Sequence, residues 1–216
     1  VDDVIIDGNI AYTIVTGDPT STDGNYDALN AGNVGDVAVT NNDNDTAGIN
    51  VTAISGPTTE AGGTATFSIT LTSQPSADVT IPLTSSDLTE GTVPASITIA
   101  AANWNVANVV TVTGVDDVII DGNIAYTIVT GDPTSGDGNY DALNAGNVAD
   151  VAVVNNDNDT AGINVTAISG PTTEAGGTAQ FTMVLNSQPT ADVTVPISSW
   201  DGTESTVSVA SLTFTA

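Results

Sequence analysis

The chain has 216 residues and a formal charge of −26, from 26 Asp and Glu against no Lys, Arg or His. Ordinary soluble domains carry about a quarter charged residues of both signs; here no side-chain salt bridge can form, and nucleic acid or anionic membranes, which are bound through Lys and Arg, are poor partners. Without His, Cys or Lys there is no ordinary general base near neutral pH, no thiolate and no Schiff-base amine, so an enzyme is not expected.

The chain opens with VDDVIIDGNIAYTIVTGDPT at Val1–Thr20, which recurs unchanged at Val115–Thr134. The offset is 115 − 1 = 114 residues, and the correspondence runs without a gap to about Val93. That period is too long for a solenoid repeat and matches a small domain. NNDNDTAG, at Asn41–Gly48 and Asn155–Gly162, reads as the linker. Cutting there gives the C-terminal part of one repeat (1–45), a complete repeat (46–159) and the N-terminal part of the next (160–216). The absence of an initiating Met and of a signal peptide fits a mature or excised piece. Two readings stay open: a window on a longer array, or partial repeats that complete one another head to tail in a filament.

Within 46–159 the expected strands, in order, are 49–55, 64–73, 79–86, 96–100, 109–115, 124–131 and 150–155. Ala65, Phe67, Ile69 and Leu71 alternate on one face of the second, the period-2 pattern of a half-buried strand. The separators GPTTEAGG, SQPSAD and GDPTSGDGN are turn chemistry, and no amphipathic helix is expected. About seven short Thr/Val/Ile-rich strands per repeat predict an all-β chain of tandem immunoglobulin-like antiparallel β-sandwiches. Trp104 is expected on the core. Trp200 stands where the other copy has Ser86 and is not essential to the repeat.

The acids fall in a pattern. Glu60 follows the first strand, Asp87 and Glu90 the third, Asp116, Asp117 and Asp121 the fifth, and Asp157 and Asp159 the seventh. Connections in an antiparallel sandwich alternate between its ends, so these odd-numbered loops predict several carboxylates at one pole. Asp78, Asp132, Asp137 and Asp141 fall mainly in the other connections and read as turn residues. Like charges about 4 Å apart repel by roughly 4 kcal/mol at an effective dielectric near 20. A bound Ca²⁺, which takes 6–8 oxygen ligands, relieves that repulsion. All-oxygen donors suit such hard cations, whereas zinc, copper and iron favour His and Cys. Ca²⁺ is therefore the expected cofactor.

Glu60-Ala61-Gly62-Gly63, Asp201-Gly202-Thr203 (Asp87-Leu88-Thr89 in the complete repeat), DDVIIDGNIAYTI at 116–128 and the terminal Asp157 and Asp159 together resemble the Calx-β domain family. The resemblance spans essentially the whole chain. It implies immunoglobulin-like sandwiches that bind several Ca²⁺ at one pole. Carried over by position, the ligands are Glu60, Asp87, Asp116, Asp117, Asp121, Asp157 and Asp159, with Asp2, Asp3, Asp7, Asp43, Asp45, Glu174 and Asp201 as their counterparts in the partial repeats. Two departures reduce the carboxylate count: Asp121-Gly122-Asn123-Ile124 lacks the family's following Glu, and Asn158 interrupts the terminal acids. Weak binding is expected, closer to the ~10⁻⁴–10⁻³ M of extracellular modules than to cytosolic sensors.

The expected function is a calcium-stiffened structural repeat of an extracellular bacterial adhesin, surface protein or filament, a rod-like spacer with ions at its domain junctions. Its expected partners are calcium ions and neighbouring repeats, in the same chain or head to tail in a filament, with no nucleic acid and no membrane insertion. A calcium-sensing regulatory module is the alternative. Halophilic surface charge would scatter acids over strand faces, whereas these gather in loops.

Overall fold

The computed structural model describes residues 1–216. Strands β1 (Ile10–Ile14) and β2 (Val37–Asn41) form an antiparallel pair in the first segment. The central segment holds β3 (Ile49–Val51), β4 (Thr58–Thr59), β5 (Thr64–Leu71), β6 (Val79–Ser85), β7 (Gly91–Thr92), β8 (Ser96–Ile99), β9 (Asn108–Gly114), β10 (Ile124–Thr130), β11 (Thr134–Ser135) and β12 (Val151–Asn156). The last segment has two further antiparallel pairs, β13 (Ile163–Val165) with β14 (Met183–Leu185) and β15 (Val193–Pro196) with β16 (Ser211–Phe214). The chain is all-β apart from short helical turns such as Gly138–Asp141. No helix is long and apolar enough to cross a membrane.

Ten of these strands assemble into two sheets. One runs β3-β5-β9-β7; the other runs β11-β6-β10-β12-β4, with β8 also on β6. Alternation decides which side chains meet between them. Along β5, Ala65, Phe67, Ile69 and Leu71 point inward and are at most 3% exposed, while the intervening Thr and Ser stay outside. Val79, Ile81 and Leu83 of β6, Val110 and Val112 of β9, and Tyr126 and Ile128 of β10 complete the same core from both sheets. Burying each large apolar side chain contributes about 1.5–3 kcal/mol. Trp104 packs half-buried against this core, and Trp200 is fully exposed.

All seven expected strands are present, and the first stops at Val51 instead of Ser55. Sequence periodicity did not reveal β4, β7 and β11, because two residues are too few to show a period. Two of these short strands shape one end of the sheets. β4 pairs in parallel with the end of β12, placing Asn155 opposite Thr58 and Asn156 opposite Thr59. β7 pairs with the end of β9, placing Gly91 opposite Gly114. Side chains larger than glycine do not fit at this crossing. A Cβ on Gly91 would collide with the Tyr126 ring, and one on Gly114 with the Thr59 carbonyl.

Candidate metal centre

Strands β4 and β7 carry two buried glutamates to one end of the sheets. Glu60 follows β4 and is 1% exposed; Glu90 precedes β7 and is 5% exposed. Glu60 meets Asp157 and Asp159, just beyond β12, whereas Glu90 meets Asp117 and Asp121 from the β9–β10 connection. Within each group one carboxylate oxygen from each residue lies within 4.8 Å of the other two. The groups also feel each other: the charges on Asp117 and Asp121 act on both Glu60 and Glu90. Two carboxylate triads thus share one pole, and either can hold a metal ion between its oxygens.

Main-chain hydrogen bonds shape the loops around the triads. Gly122 N–H donates to Asp157 Oδ2 (2.8 Å), and Asp159 N–H to Asp157 Oδ1 (2.7 Å). Asn158 N–H donates to Glu60 Oε2 (3.0 Å), and Ile119 N–H to Asp117 Oδ1 (2.7 Å). Gly122 adopts φ +79°, where a side chain is strained, so glycine at this position lets its N–H aim at Asp157.

Beneath the loops a buried polar network joins the Glu90 triad to the core. Asn155 Nδ2 donates to Glu90 Oε2 (3.3 Å) and to the Val115 carbonyl (3.0 Å), while its Oδ1 accepts from the Thr58 hydroxyl (3.0 Å). Since Thr58 has a single proton to give, the Tyr126 hydroxyl is the donor in the 3.1 Å Tyr126–Thr58 bond.

The electrostatics differ within each triad. Burial pushes the Glu60 and Glu90 carboxyls above their ordinary values, reinforced by neighbouring acids. Asp159 is also raised, first by burial and then by Asp157, Asp116, Asp117 and Asp121. Asp157 is held below its ordinary value by the N–H groups of Asp159 and Gly122. Asp159 Oδ2 is buried without any hydrogen-bond partner. A buried polar atom left unpaired costs about 1–3 kcal/mol, more when charged. A cation among these oxygens would satisfy it.

The other expected ligands are placed differently. Asp116 Oδ1 accepts a long 3.4 Å bond from Asn158 and lies outside both triads. Asp87 acts on Glu90 from nearby, but its Oδ1 is engaged by the Thr89 hydroxyl (2.6 Å) and N–H (3.0 Å). Asp201 repeats that turn with Thr203, and Glu174 is exposed in the last segment.

In the first segment Asp2, Asp3, Asp7, Asp43 and Asp45 line one recess. Its loop bonds copy those of the central segment: Gly8 N–H to Asp43 (2.7 Å), Asp45 N–H to Asp43 (2.8 Å) and Ile5 N–H to Asp3 (3.0 Å). Glu90 is the residue the positional ligand set omits. Its signal was its place among the acids after the third strand, where the family correspondence favoured Asp87.

At the far end of β10 the acids do other work. Asp78, Asp132 and Asp141 accept the N–H groups of Ala101 (2.9 Å), Ala145 (2.8 Å) and Ser135 (3.2 Å). Asp137 accepts from Ser76 N–H (2.7 Å), Ser76 Oγ (2.9 Å) and Asn139 N–H (2.9 Å). These bonds match ordinary turn duty. Comparison with models of known protein families finds no match, and comparison with characterised proteins finds none either.

Proposed function

We propose that this chain is a calcium-stiffened structural segment: tandem immunoglobulin-like sandwiches of the Calx-β kind, serving as a rod-like spacer in an extracellular bacterial adhesin, surface protein or filament. The observation that carries the reading is the orphaned Asp159 Oδ2 beside Asp157 and Glu60, in a chain with no cationic side chain of its own. The donors are all carboxylate oxygens, the chemistry that suits Ca²⁺. The division into repeats is supported by one core drawn from residues 67–153 and by identical loop bonds 114 residues apart, such as Gly8 to Asp43 and Gly122 to Asp157. Support for the Calx-β likeness lies in the order of its acidic motifs, with Glu90 added and Asp87 set aside in its own turn.

Ca²⁺ would be held by Glu60, Asp157 and Asp159 and by Glu90, Asp117 and Asp121. Its charge offsets their mutual repulsion and ties together four stretches: the β4–β5, β6–β7 and β9–β10 connections and the segment after β12. The test is a thermal melt of the chain in EDTA, in millimolar CaCl₂ and in NaCl of matched ionic strength. A marked loss in EDTA that millimolar Ca²⁺ restores and NaCl of matched ionic strength does not is expected; a melting temperature indifferent to EDTA sinks the proposal. Sub-micromolar affinity with a large conformational change would instead favour a sensor.

A further inference from the structure

The acidic loop that carries Asp117 also reaches forward to the next repeat. Gln188 N–H, in the β14–β15 connection, donates to the Val118 carbonyl at 2.7 Å, and Ile119 bridges Gln188 in parallel. The same contact occurs 114 residues earlier, where Gln74 N–H donates to the Val4 carbonyl at 2.7 Å and Ile5 bridges Gln74. Both glutamines precede proline, in Gln74-Pro75 and Gln188-Pro189. The residue before proline is held extended, the conformation a parallel bridge requires. The linker is tied down two residues away, by Thr72 N–H to the Gly48 carbonyl and Asn186 N–H to the Gly162 carbonyl, each 3.0 Å.

We infer that this main-chain bridge, together with the tied linker, is the surface on which each repeat seats the next, and that it forms without an ion. It uses the repeat boundaries proposed above but not the calcium. All six triad residues come from one repeat, at positions 60–159, so no carboxylate ligand has to cross the junction. A head-to-tail contact of this type is heterologous, and its repetition extends an array unless the rotation between neighbours closes a ring. Because the contact is the same at both junctions, successive repeats are related by one operation, and an array built this way has uniform spacing.

The chain has no cysteine to interfere, so paired substitutions test the contact in the full protein: Ile5→Cys with Gln74→Cys, and separately Ile119→Cys with Gln188→Cys. Bridge partners lie at about the Cα separation that a disulfide spans, roughly 4.4–6.8 Å. Both pairs are expected to form intramolecular disulfides, equally in EDTA and in millimolar Ca²⁺, and much faster than in urea. Oxidation no faster than in urea, or only with Ca²⁺, overturns the inference. Amide exchange of the unsubstituted chain provides a second reading: Gln74 and Gln188 N–H should exchange about tenfold or more slower than in a free peptide. Free-peptide rates at both overturn it too. Disulfides that form while the melting temperature ignores EDTA would remove the calcium proposal and leave this junction standing.

Discussion

Glu90 shows how one residue separates two explanations of an acidic pole. Its Oε2 accepts from Asn155, and replacing Glu90 by Gln keeps that acceptor while removing the charge from the triad with Asp117 and Asp121. Ligand charge tunes calcium affinity over orders of magnitude. Glu90→Gln should therefore weaken Ca²⁺ binding by about tenfold or more in calorimetric titration, with the ion-free melting temperature unchanged or raised. Asp78→Asn, at the other end, should leave affinity alone; equal losses from both would mean general charge neutralisation.

Asp137 governs a different property. The Ser76 N–H, first among its hydrogen bonds, holds its carboxyl below the ordinary 3.8 despite burial. The folded state therefore binds this proton less readily than the unfolded state. The resulting stability is present above about pH 4 and is lost as pH falls through the folded value. Asp137→Asn should cost about 1.5–3 kcal/mol at pH 7 by denaturant unfolding, the range for hydrogen bonds to a charged group. It should also flatten the decline in stability below about pH 4; parallel pH profiles for variant and parent would contradict this account.

Among the elements, β10 is central, with β6 on one side and β12 on the other. Ile128 on its inner face is fully buried, whereas its neighbour Val129 is 38% exposed. Ile128→Ala should cost about 2–5 kcal/mol in urea unfolding, and Val129→Ala should stay within about 0.5 kcal/mol. Similar costs would mean the sheet faces another way. This alternation was legible in the sequence because the strands are long enough to display period 2. The strands that build the site were not. β4 and β7 owe their existence to partners far along the chain, β12 and β9, and two residues cannot advertise a long-range pairing. Glu60 and Glu90 are brought to the pole by those pairings.

For the molecule as a whole, the charge of −26 means that salt alone should recover part of any stability lost in EDTA. Screening shortens the Debye length to about 3 Å at 1 M, which weakens repulsion between exposed loops but supplies no ligand to the buried Asp159 Oδ2. In melts, 1 M NaCl should restore less than 5 mM CaCl₂; equal recovery would reduce the pole to diffuse electrostatics. The repeat, the all-β class, the alternating core of β5 and the gathering of acids in particular connections followed from the sequence by itself, because each is written in local pattern or self-similarity. Tertiary structure alone decided that Glu90 joins Asp117 and Asp121, and that Gln74 and Gln188 bridge Ile5 and Ile119. Those outcomes depend mostly on which backbones pair between stretches distant along the chain. Pairing is selected by the packing of the whole core, which no local stretch of sequence contains.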